Sequence, residues 1–117
     1  MGRAMAADAR LTSAMLVGAL RRRVGAAGGF ATILRKGDEI SGVILVQILE
    51  KGQFSALFER VSNFDGGHAL LRCGPSPDDG AEALDAYLAR RHRSDPDLWV
   101  VELDVPEAER FAVETLC

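Results

Sequence analysis

Glu102 and Asp104, in the stretch "DLWVVELD" from Asp97 to Asp104, are the residues of this chain best spaced for chemistry. On a strand, positions two apart point to one face at ~7 Å, where two carboxylates could hold a divalent cation or share acid–base work. The plainer reading, which the sequence favours, is that they are the solvated end of a strand face. His68 opens another strand-like run and His92 lies in a basic cluster. Neither histidine has a partner at catalytic or metal-ligand spacing, so both read as surface residues. A thiol nucleophile would pair Cys73 with His68, but five positions along a strand put the two side chains on opposite faces. No nucleophile elbow, phosphate-binding loop, dinucleotide fingerprint or H-E-x-x-H motif occurs. The sequence therefore assigns no catalytic residue, no metal ligand and no cofactor.

Two basic clusters are the candidate binding residues: Arg21, Arg22 and Arg23, then Arg90, Arg91 and Arg93 around His92. Each falls in the last turns of a predicted helix, where cations complement the macrodipole. That accounts for their position without a ligand. The sharper alternative is a joint anion site for phosphate or nucleic acid, which requires the two helix ends to converge. Trp99 alternates with Val101 and Leu103 and so points away from the two carboxylates. It reads as a core anchor whose indole N–H needs one acceptor, with ligand stacking as the rival role.

These residues are positioned by a chain whose period changes along its length. Residues 1–9, "MGRAMAADA", have no pattern and are expected to be loose; residues 10–117 are expected to form a single domain. From Arg10 a helix is predicted, capped by Thr12 or Ser13, with Leu16, Ala19, Leu20 and Val24 at helical spacing and "GAAGG" as its stop. Strand runs follow at Phe30 to Lys36, Ser41 to Glu50, Phe54 to Val61 and His68 to Cys73. Their connections of a few residues predict hairpins throughout, the first through "GDE", and hence an antiparallel meander. A second helix is predicted from Ala81 to about His92, with Leu84 and Leu88 inward. Asp95 before Pro96 reads as a turn, "PDLWVVELD" as a further strand, and the tail from Pro106 as a short helix with Ala108, Phe111, Ala112 and Leu116 on one face.

The predicted class is α+β: a two-layer arrangement of two helices packed against a mainly antiparallel sheet of four to five strands. In "VILVQI", Val43 to Ile48, residues are apolar on both faces until Gln47, so both faces of that strand need cover. Either the helices divide between the faces or one face meets a second copy of the chain, which makes a homodimer an expected partner.

Composition narrows the classes. At 117 residues with 48% hydrophobic and 26% charged residues, one ordinary globular core is expected, without a disulfide or metal staple. A net charge of −3 provides no global field for a polyanion, so nucleic acid is disfavoured as a partner. "SAMLVGAL" fails as a signal segment, because "RRR" follows rather than precedes it, and it is far short of the ~20 residues that cross a bilayer. No membrane is implied, and two unpaired cysteines leave the cytoplasm as the expected compartment.

The stretches "LRRRV", "ATILRKGDEISGVILVQI" and "YLARRHRSDPDLWVVELD" together resemble a small bacterial family, domain of unknown function 1491, over about Arg10 to Phe111. The most specific pieces are "RKGDEISGVILVQI" and "DPDLWVVELD". Members of that family carry a glycine-containing turn after the last strand, where this chain has "VPEAERF". The resemblance implies a short, stand-alone cytoplasmic protein with no assigned activity and no established catalytic residues. Functionally, the sequence favours a non-enzymatic interaction or adaptor module that self-associates. Two readings of other classes stand beside it: a nucleic-acid or phosphorylated-ligand binder using the basic helix ends, and an enzyme of unrecognised type using Glu102, Asp104 or His68.

Overall fold

The computed structural model describes residues 11–117. The predicted loose segment 1–9 and the Arg10 helix start lie outside the described residues. Helix α1, Ser13–Ala26, buries Leu16, Leu20 and Val24 as its apolar spacing predicts, and Val17 as well, whereas Ala19 is only half-buried. The Met15 N–H donates to the Thr12 hydroxyl at its start. At its end Gly28, at φ 85°, takes the left-handed conformation, and the N–H groups of Gly28 and Gly29 donate to the carbonyls of Gly25 and Val24. That glycine-terminated double bond is what the "GAAGG" stop encodes.

The strands are β1 (Phe30–Arg35), β2 (Ile44–Glu50), β3 (Gln53–Ser62), β4 (His68–Arg72) and β5 (Trp99–Asp104). Helix α2, Ala81–Ser94, precedes β5, and α3, Ala108–Leu116, follows it. Among the described residues they form one five-stranded sheet in the order β1-β5-β2-β3-β4. The β2–β3 and β3–β4 hairpins are as expected. The β1–β2 hairpin is not: β5 stands between those strands, antiparallel to β1 and parallel to β2.

The reason lies in residues 36–43, which are a collar rather than a turn. The Asp38 N–H donates to the Asp97 carbonyl at 2.9 Å, and the Trp99 N–H donates to the Val43 carbonyl at 2.8 Å. The Trp99 indole N–H donates to the Asp38 carbonyl at 2.7 Å. Gly37 and Gly42 pass so close to the Asp97 carbonyl that a Cβ on either would collide with it. The same collar serves α1, since the N–H groups of Ser13 and Ala14 donate to the carbonyls of Ile40 and Glu39. Two of the helix's orphan donors are thus satisfied by the loop that admits β5.

The helices divide between the faces. Helices α1 and α3 pack over Ile44, Val46, Ile48, Phe58, Trp99, Val101 and Leu103, with Ala108, Ala112 and Leu116 supplying the inner side of α3. Helix α2 packs Leu84 against Leu45, Leu57 and Val100 on the opposite face. The α+β class therefore holds, with the tail helix present, but helices on both sides of the sheet make three layers rather than the expected two, because both faces of β2 are apolar. Cover of the α2 face is incomplete. Phe30 is 71% and Leu34 48% exposed on β1, with Thr32 exposed between them.

Candidate functional site

Glu102 and Asp104 are separated in role. Glu102 and Asp104 share the α2 face with Val100, as their spacing predicts. Glu102 stands between Thr32 of β1 and Gln47 of β2 in register, and its Oε2 accepts a hydrogen bond from Gln47 Nε2 at 3.0 Å. Gln47 is 7% exposed, and its Oε1 has no partner. Asp104 lies opposite Phe30 and Leu49, at the far end of the strand. His68 opens β4, three strands from β5, and faces Ser62 at the end of the sheet away from Asp104. The three residues do not line one pocket. Among the described residues no group of three or more His, Cys, Asp and Glu could hold a metal ion.

The arginines do not converge either. Helix α1 runs into Phe30, which pairs with Asp104, whereas α2 runs into Trp99 at the other end of β5 and on the other face. Arg23 is tied to α3 through Glu114 at 2.9 Å and the Thr115 hydroxyl at 3.0 Å. Arg91 joins Glu59 of β3 at 3.1 Å and donates to the Tyr87 hydroxyl at 2.8 Å, while Arg90 lies over the Tyr87 ring. Arg23 thus ties α1 to α3, and Arg91 ties α2 to the sheet. Arg21, Arg22 and Arg93 are exposed. Trp99 is 3% exposed and is a core anchor with its acceptor found. Burial pushes the Cys73 thiol up, against the pull of Tyr87 and Arg91, so it is a poor nucleophile at neutral pH.

Besides the β4 edge at the far end of the sheet, two surfaces remain. One is the unpaired edge of β1. The other is a groove of about 560 Å³ at the carboxyl ends of the parallel strands β2 and β5. Ile48, Ala56, Phe58 and Ala108 form its apolar floor, and Glu50, Lys51, Asp104, Glu107 and Glu109 stand around it. It opens where the β2–β3 turn and the first turn of α3 part. No sequence motif marks it, because residues 48–58 and 104–109 become neighbours only through the parallel β2–β5 pairing that a meander would forbid.

The fold and these surfaces define a small α+β protein: a mixed sheet with the β1-β5-β2-β3-β4 order, flanked by helices and closed by a collar around its late-arriving strand. A family described as "Protein of unknown function (DUF1491)" matches residues 11–113, and the chain belongs to that family. Its fold is similar to the crystal structure of a DUF1491 family protein from Caulobacter crescentus CB15, at TM-score 0.75 and 35% identity, covering 87% of this chain and 94% of that one. An NMR structure of a DUF1491 family protein from the same organism gives TM-score 0.70 at 35% identity, with 86% and 91% covered. A solution structure of an A. tumefaciens protein gives 0.66 at 35% identity, with 92% of both chains covered. No curated protein matches the chain. The two motif stretches that carried the resemblance, "RKGDEISGVILVQI" and "DPDLWVVELD", are the ones that meet at the collar. Among the described residues no helix is long and apolar enough to cross a membrane.

Proposed function

We propose that this chain is a non-enzymatic interaction module that self-associates through the open edge of β1. The doubly apolar β2 that first suggests self-association is covered on both faces by the chain's own helices, so the interface moves to β1. The observation that carries the reading is the self-complementary pattern on that edge. Pairing two copies antiparallel about Thr32 sets Phe30 of each against Leu34 of the other, the arrangement a two-fold interface requires. The same pairing sets Arg35 opposite Gly29, whose neighbour across the sheet is the end of β5 with Asp104. A cation from each copy then lies within reach of a carboxylate of the other. The bulge at Leu34 and the charges of Arg35 and Lys36 end the seam after β1, which limits growth beyond two copies. The scattered placement of Glu102, Asp104 and His68 and the unreactive Cys73 support the non-enzymatic half.

Light scattering coupled to gel filtration tests it. At about 100 µM the expected mass is twice the 12.6 kDa of the chain, and Phe30→Lys or Leu34→Lys should weaken association at least ~10-fold without changing the circular dichroism spectrum. A monomer at that concentration rejects self-association. A dimer indifferent to both substitutions rejects the edge.

A further inference from the structure

We infer that self-association also packs helix α1 of one copy against α1 of a second, antiparallel and crossing at Gly18; this rests on the β1 pairing proposed above and extends its surface. When two sheets join edge to edge about a two-fold axis, the axis stands perpendicular to the joined sheet. The helices on one face of each copy then lie on the same side. Paired strands are ~4.8 Å apart, whereas a helix with its side chains is ~10 Å wide. A helix riding at the edge of each sheet therefore meets its counterpart across the seam. Helix α1 rides there: it lies against β1, whose Ala31 and Ile33 pack into the core that it covers. Helix α3 sits further in, with the Leu116 carbonyl held by Arg60 of β3 at 2.6 Å.

The flank of α1 turned to the open edge follows from the helical repeat of about 100° per residue. Ser13, Leu16, Val17, Leu20 and Val24 face the sheet, and Arg23 reaches α3. The side away from α3 carries Ala14, Gly18, Arg21 and Gly25. Both glycines lie within the helix, where a Cβ would meet only the tip of the Arg22 side chain at Gly18 and nothing at Gly25. Glycine inside a helix weakens it relative to alanine. The fold of a single copy thus gives neither glycine a reason, and the close approach of a second backbone gives one to both.

Size and charge are self-complementary in this register. Crossing at Gly18 sets Leu11, seven residues before it, against the second copy's Gly25, seven residues after it. Leu11 is 56% exposed, and the space beside Gly25 is open. Arg21 falls beside the second copy's Ala14. In each copy the Ala14 N–H donates to the Glu39 carbonyl, so the exposed Glu39 carboxylate comes within reach of that arginine. Arg21 enters no ion pair among the described residues, and Glu39 has only a 3.5 Å contact with exposed Lys36. The apolar seam between strands and the charge pair between helices thus belong to one continuous surface, and its occupant is another copy of this chain.

Sedimentation equilibrium of the full chain tests this, with melting of dilute, monomeric samples as the control for folding. Gly18→Leu should weaken association at least ~10-fold. Gly18→Ala should weaken it too while raising the melting temperature of the monomer, a pair of opposite signs that a purely intramolecular glycine would not give. Arg21→Glu and Glu39→Arg should each weaken association, and the two together should bring it back to within ~3-fold of wild type. A dimer broken by Phe30→Lys but indifferent to Gly18→Leu overturns the helix contact and leaves the β1 edge standing. A dimer broken by Gly18→Leu but indifferent to Phe30→Lys and Leu34→Lys supports the helix contact and rejects the edge. A charge swap that restores nothing overturns the register, and a wild-type monomer at about 100 µM overturns both readings.

Discussion

Trp99 is almost wholly buried, and its one polar side-chain atom is bonded to the Asp38 carbonyl at 2.7 Å. Trp99→Phe removes that donor and leaves a smaller ring in the same space, so a loss of about 1–3 kcal/mol is expected in urea unfolding followed by circular dichroism. The Asp38 carboxyl is held below the ordinary carboxylate range chiefly by the Ser41 N–H, then by that of Ile40. A lowered folded-state value means that this stabilisation is complete above the unfolded value of 3.8 and disappears as pH falls through the folded one. The stability advantage of wild type over Asp38→Ala should therefore shrink in acid unfolding between about pH 5 and about pH 2; a gap independent of pH rejects the assignment. Gln47 presents the opposite case. Its unpartnered Oε1 makes the buried amide a net cost, so Gln47→Met should raise stability by roughly 1 kcal/mol, read as a higher urea midpoint at constant slope. At this scale the sequence was informative about Trp99, whose alternation with Val101 and Leu103 marks it as core. It said nothing of the Gln47–Glu102 bond, because that bond spans strands not adjacent in sequence.

Elements built from local contacts were legible, and the exception is instructive. The cap at Thr12, the glycine stop of α1, the inward Leu84 of α2 and the buried Ala108, Ala112 and Leu116 of α3 follow from periodicity and end signals alone. "GDEISG" misled because glycines and an aspartate between two β-rich runs suit a hairpin as well as a collar. Its true work is distributed: it meets Asp97 and Trp99 on one side and Ser13 on the other. The Ser13 hydroxyl donates to the Gly42 carbonyl at 2.6 Å, with both residues buried. Ser13→Ala leaves that carbonyl unsatisfied and should cost about 1–2 kcal/mol in thermal or urea unfolding. A neutral outcome would mean that the collar does not depend on this anchor.

For the whole molecule, the apolar pattern of "VILVQI" foretold that both faces of β2 would be covered, and the helices cover both. The pattern could not say which strands lie beside it. Strand order depends on contacts between Phe30–Arg35, Ile44–Glu50 and Trp99–Asp104, separated by long stretches of chain, and no local signal encodes them. The groove and the open β1 edge are products of that order, which is why neither was legible. The arginine clusters were legible as helix ends but not in their partners, Glu59, Glu114 and Thr115.

The place of β5 also governs how the chain can be made. A ribosome delivers β1 and β2 well before the strand that must separate them, so the nascent chain has to keep that gap open or unpick a premature hairpin. A protein cut after Asp95 would retain four of the five strands and yet have no neighbour for β1. Such a fragment should give the collapsed amide spectrum of an unfolded chain, and supplying the missing residues as a separate peptide should restore dispersion.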